Sequence, residues 1–113
     1  MNEVTKVLIE ARKIISEPEH WTQGVFARDA LGNDTDWDSP EAVCWCTAGA
    51  IRKAAGAFHY HQEQSIEYHI LVLHATKELV SVIGDYGVSR FNDHHNHAQV
   101  VEVFNKAITK RQV

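Results

Sequence analysis

The sequence predicts a mainly α-helical, compact single domain of four helices, with a short irregular or β element between the first two. Three observations lead there. Four segments place apolar residues at helical spacing. A length of 113 residues suits one domain with its own core. The 44% apolar and 23% charged fractions are those of a folded chain rather than a disordered one. No repeat and no low-complexity linker divides the sequence, so residues 1–113 are read as one domain.

The first helix is expected over about residues 2–17, with Val4, Val7, Leu8, Ala11, Ile14 and Ile15 on one face and Pro18 at its end. The second is expected to open with Ser39 as N-cap and Pro40 at the first helical position, and to run to Gly56. The third spans about 62–83 and stops at Gly84. It carries His69 among Val72, Leu73, Thr76 and Val80 as a hydrogen-bonded core histidine. His74 and Glu78, four residues apart, read as an outward solvated pair. The fourth helix follows Asn96, which forms a capping box with Gln99, and lines up Val100, Val101, Phe104, Ala107 and Ile108.

Two long connections remain. Residues 20–38 hold a short strand within 21–28 and a turn at 31–34; residues 85–95, "DYGVSRFNDHH", form the second. Loops of this length carry function or their own packing, so a site is sought there first.

Charge and composition exclude several classes. A net charge of −4 argues against nucleic acid or an anionic membrane as partner. The basic clusters Arg12–Lys13, Arg52–Lys53 and Lys106, Lys110, Arg111 are expected in the last turns of helices, where cations complement the dipole. No apolar run reaches the ~18 residues of a membrane span. "MNEVTKVLIEARK" has the pattern of neither a signal nor a transit peptide. Two cysteines make no disulfide framework, so a reducing cytoplasm is expected. Eight histidines would carry the net charge from −4 to +4 if all were protonated, which makes pH-dependent association an expectation.

"AVCWCTAG", residues 42–49, poses the sharpest chemical question. On a helix turning about 100° per residue, Cys44 and Cys46 fall on opposite flanks of the Val43, Ala50, Ala54 core stripe. They then share neither a metal nor a bond. Trp45 and Gly49 face away, leaving a platform that a loop, a partner or a ligand must cover. A nucleophile reading rests on a thiolate near a helix N-terminus. Gln23–Gly24 and Cys44–Trp45 resemble the oxyanion glutamine and Cys-Trp pair of papain-like enzymes, with a histidine and Asn92 to complete a triad. The gap between those motifs is longer here, and no histidine sits in a recognisable motif. Asp34, Asp36 and Asp38 match the first acidic positions of a calcium loop, but Ser39 and Trp45 stand where glycine and glutamate are required. His94, His95 and His97 are the candidate metal ligands, with His59 and His61 elsewhere, although neighbouring histidines tend to point apart.

"WTQGVFARDALG", "CWCTAGAI" and "FNDHHNHAQVVEVFNKAI" resemble a domain-of-unknown-function family of small bacterial and bacteriophage proteins. The resemblance covers most of the chain. Its signature positions fall on Trp21, Gln23, Gly24, Ala27, Arg28, Asp29, Gly32, Trp45, Cys46, Gly49, Ala50, Asn92 and Asp93. It implies no activity and no cofactor. His94, His95 and His97 lie where relatives vary, and Cys46 rather than Cys44 is the signature cysteine.

Together these observations describe a non-catalytic accessory or interaction protein that binds a protein partner or a small ligand, with homo-oligomers expected among its states. Trp21, Gln23, Arg28, Asp29, Trp45, Asn92 and Asp93 are the candidate binding residues. For Gln23, Arg28, Asp29, Asn92 and Asp93 a structural role is favoured over a pocket, with Arg28 forking to Asp29 or Asp93, because long loops need such ties. The alternatives are a cysteine-dependent hydrolase or transferase using Cys44, Cys46, Gln23 and Asn92, and a metal module at His94, His95 and His97. An open cleft beside Trp45 would favour binding; a covered tryptophan would count against it.

Overall fold

In a computed structural model, residues 2–58 and 66–112 are described. The elements run α1 (Glu3–Ile14), β1 (Ala27–Asp29), β2 (Asp34–Thr35), β3 (Ala42–Trp45), α2 (Thr47–Phe58), α3 (Ile66–Ile83), α4 (Val88–His94) and α5 (His97–Gln112). The fold is mainly helical, but the described residues form five helices rather than four. The element between the first two helices is a three-stranded antiparallel sheet of order β2-β1-β3.

Helix α1 begins where Asn2 caps it, its Oδ1 accepting from the Thr5 N–H at 3.0 Å. Val7, Leu8, Ala11 and Ile15 are fully buried. They meet Ala50, Ile51, Ala54 and Ala55 of α2, Leu71, Ala75 and Leu79 of α3, and Val100, Phe104, Ala107 and Ile108 of α5 in one core. The capping box is present: Asn96 Oδ1 accepts from Gln99 N–H and Gln99 Oε1 from Asn96 N–H, each at 2.9 Å.

The expected second helix is wrong in its first half. Ser39 and Pro40 build a tight turn, in which Ser39 Oγ accepts from Glu41 N–H and the Ser39 carbonyl from Ala42 N–H. The same Ser-Pro chemistry that starts a helix serves a turn here. The next four residues, Ala-Val-Cys-Trp, pair with β1 in the register Ala27↔Trp45 and Arg28↔Cys44. Their side chains therefore alternate instead of spiralling. Val43 is exposed and Trp45 is buried, the reverse of the helical expectation. Helix α2 starts only at Thr47.

Helix α3 also turns differently from its expected orientation. Tyr68, Leu71, Ala75 and Leu79 are buried, while His69 is exposed rather than in the core. Glu78 pairs with Arg111 of α5 at 2.8 Å, not with His74. Arg12 and Lys13 of α1 and Lys110 and Arg111 of α5 occupy last turns, but Lys106 lies earlier in α5, and Arg52 and Lys53 lie inside α2 and cover the Phe26 and Trp45 rings. The second long connection is no loop: Val88 to His94 is helical. No helix among the described residues is long and apolar enough to cross a membrane.

Candidate functional site

The two connections singled out in the sequence meet at Asn92. This residue sits inside α4, fully buried. Its Oδ1 accepts from Trp21 Nε1 at 2.7 Å, from Thr47 N–H at 2.9 Å and from Thr47 Oγ1 at 2.7 Å. Its Nδ2 donates to the Thr22 carbonyl at 3.0 Å and to Asp93 Oδ1 at 3.2 Å. Three donors converging on one atom and two acceptors on the other fix the amide orientation. One side chain thus joins the 21–24 segment, the start of α2 and α4.

Gln23 binds the same helix from outside. Its Nε2 lies 3.0 to 3.2 Å from the carbonyls of Asn92, Asp93 and His95, the unpaired oxygens at the C-terminal end of α4. Gly24, at φ 86°, turns its N–H onto Asp93 Oδ1 at 2.9 Å. Arg28 donates to Thr22 Oγ1, to the Gln23 carbonyl and to the Gly32 carbonyl. It ties the segment to the β1–β2 turn and does not fork onto Asp29 or Asp93. Asp29 Oδ1 accepts from the Leu31 and Asn33 N–H groups inside that turn.

Cys46 stands at the N-cap position of α2. Its carbonyl takes the Ala50 N–H, its N–H donates to the Phe26 carbonyl, and its Sγ accepts from Gly49 N–H at 3.4 Å. Burial pushes its thiol pKa up; the Gly49 and Ala48 N–H groups pull the other way without overcoming it. Gly49 is required by contact: a Cβ there would overlap the Phe26 carbonyl oxygen and sit 3.0 Å from its carbon. A shallow groove of about 210 Å³ opens above the thiol, lined by Gly24, Val25, Phe26, Cys46, Ser89 and Asp93. That volume is below the ~300 Å³ at which small-molecule sites begin.

Residues 1–110 match a family of unknown function, DUF6197. The chain belongs to that family. Comparison with curated proteins and with solved structures finds no match.

The candidate residues of the DUF6197 chain divide clearly by position. Trp21, Gln23, Arg28, Asn92 and Asp93 come together in one hydrogen-bonded cluster, whereas the Asp29 carboxylate bonds only within the adjoining β1–β2 turn. Trp45 does not border an open cleft. It is 9% exposed, its Nε1 donates to the Trp37 carbonyl at 2.9 Å, and the Lys53 ammonium lies over its ring. Cys44 and Cys46 are both free, and the Cys44 thiol lies 3.9 Å from the Arg28 carbonyl. The papain-like arrangement is not formed, since Gln23 and Asn92 spend their amides on α4, Trp21, Thr22 and Thr47.

The three clustered histidines of this DUF6197 chain diverge. His94 Nδ1 meets Tyr86 Oη at 3.0 Å, His95 Nδ1 meets the Phe91 carbonyl at 2.9 Å, and His97 Nε2 meets the Ile15 carbonyl at 2.6 Å. Among the described residues no three histidine, cysteine or acidic side chains are placed to hold a metal ion. His59 and His61 lie outside the described residues. Thr47, Thr22 and Phe26 are members of the cluster that the sequence reading missed. Thr47 is legible only as a good first-turn residue; Thr22 contributes both its hydroxyl and its carbonyl, and Phe26 only a backbone carbonyl, which leaves no side-chain signal.

Proposed function

We propose that this chain is a small non-catalytic accessory protein, of bacterial or phage origin and working in a reducing cytoplasm, that meets a protein partner on a surface other than the covered Trp45 face. One observation carries the reading. The polar signature residues direct their hydrogen bonds at one another and at nearby backbone, Asn92 alone making five through its side chain. A catalytic or ligand-recognising amide needs free hydrogen-bonding capacity facing an open site. Here that capacity holds two loops and a helix N-terminus together. The free thiols support the reducing compartment, and the buried Cys46 thiol, held protonated, supports the absence of a nucleophile.

Iodoacetamide labelling of the native protein across neutral and alkaline pH tests this. Slow alkylation of the buried Cys46 at neutral pH, rising only on the alkaline side, is the expected result. Rapid, selective alkylation of either cysteine at neutral pH would overturn the reading in favour of a cysteine enzyme.

A further inference from the structure

We infer that the outward face of α3 is a docking surface for a second copy of this chain, the two helices lying antiparallel about a two-fold axis. The inference concerns a different face from the Asn92 cluster and goes beyond the function proposed above.

Helix α3 is apolar on both sides. At about 100° per residue, Ile66, Ile70 and Leu73 fall within a narrow arc directly opposite Leu71, Ala75 and Leu79. The second set is the core face; the first is 71%, 46% and 50% exposed. A surface helix ordinarily turns polar residues to that side. The 4-3-4 spacing of 66, 70, 73 and 77 is that of a two-helix seam, with Lys77 closing it.

Charge decides the orientation and the occupant. Glu67 flanks the N-terminal end of the stripe, while His74 and Lys77 flank its C-terminal end. Glu67 and His74 lie on the same flank of the stripe, so two copies in parallel would hold them on opposite sides of the seam. Turned antiparallel, with Ile70 packed on Leu73 of the second copy, the same register brings Glu67 beside His74 of that copy, twice by symmetry. The Lys77 stem then covers Ile66 of the second copy and carries its ammonium toward Glu67 of that copy. Glu3 of α1 shares the hollow around Ile70 with Glu67 and His74. A face whose two ends carry opposite charge is complementary to itself under a two-fold rotation.

The seam is about three turns long, which places it below the ~1,200 Å² of standard interfaces, among reversible contacts. Sedimentation velocity of the full chain, from low to high micromolar, reads it directly. The average mass is expected to rise from 12.8 kDa toward twice that value. Ile70→Lys with Leu73→Lys, at exposed positions, leaves the circular dichroism unchanged and the protein monomeric at all concentrations. Glu67→Lys weakens the dimer by ~5-fold or more, and Glu67→Lys with His74→Glu returns it to within ~2-fold. A protein that stays monomeric throughout overturns the inference. So does a dimer indifferent to the Ile70→Lys, Leu73→Lys pair, or a mass that grows without limit. Thiol labelling is indifferent to this association, so either proposal can fail alone.

Discussion

Asn92 caps a helix that it does not belong to. Its Oδ1 lies 2.9 Å from the Thr47 N–H, so a side chain from the middle of α4 satisfies the first free donor of α2. Cys46, at the N-cap itself, has only sulfur to offer the Gly49 N–H. A weak sulfur acceptor at the usual capping position leaves the stronger acceptor to come from 45 residues away in sequence.

Asn92→Ala is therefore expected to cost far more than an exposed cap. It strands the Trp21 N–H, the Thr47 N–H and the Thr22 carbonyl in a buried site, at about 1–3 kcal/mol for each group left unsatisfied. Incomplete relaxation by water brings the sum to about 3 kcal/mol, a drop of about 12 °C in melting temperature. Asn92→Asp is expected to be at least as harmful, because one carboxylate oxygen must face the Thr22 carbonyl and Asp93. Thermal unfolding of both variants checks this. An aspartate variant as stable as wild type would show that the Nδ2 contacts contribute nothing.

How legible this was depends on how local each determinant is. The Asn96–Gln99 box and the α1 stripe are set by residues within one or two turns, and both were readable. Ser39–Pro40 was ambiguous, because an N-cap and a tight turn use the same side-chain chemistry. Only pairing with β1, which depends on residues thirteen or more positions back, selects the strand. Helix α3 was assigned the wrong inner face because both its faces are apolar, and period alone cannot choose between them. Helix α4 was missed because seven residues with a buried asparagine show almost no stripe. The candidate cluster was locatable, since Trp21, Gln23, Arg28, Asn92 and Asp93 stand in the two connections. Its wiring was not, because each bond between those connections spans about seventy positions.

Two glycines of α2 are expected to respond oppositely to alanine. At Gly49 the added methyl meets the Phe26 carbonyl, part of the backbone that receives the Cys46 N–H, so relief requires moving β1 away from α2. Gly49→Ala is expected to destabilise by about 3 kcal/mol or more, despite alanine's helix preference. At Gly56 a Cβ would rest 3.6 Å from the Trp37 ring, an ordinary contact. Gly56→Ala should then gain about 1 kcal/mol from helix propensity. Chemical denaturation of the pair measures both signs, and equal effects would sink the distinction.

Arg28→Lys separates geometry from charge. The guanidinium reaches Thr22 Oγ1, the Gln23 carbonyl and the Gly32 carbonyl with three different nitrogens. A single ammonium cannot reach all three. The expected loss is about 1 kcal/mol, since the site is partly solvated. It should appear first as faster amide exchange in residues 30–33, ahead of any change in the α2 core. Unchanged exchange there would mean that Asp29 alone holds the turn.

Alkaline pH should expose the burial of Cys46. Desolvation raises its thiol pKa in the folded protein, so the native state holds this proton more tightly than the unfolded chain does. The unfolded thiol ionises first, near its ordinary value of about 8.5. Below that value the contribution is fully present. As pH climbs from there through the higher folded-state pKa, the unfolded state gains stability and the contribution disappears. Wild-type stability is thus expected to decline on the alkaline side with a component that Cys46→Ser lacks. Urea midpoints for both proteins between neutral and strongly alkaline pH separate that component from the titration of lysine and tyrosine. Parallel pH profiles for the two proteins would mean that burial at the floor of the groove does not raise the Cys46 thiol pKa.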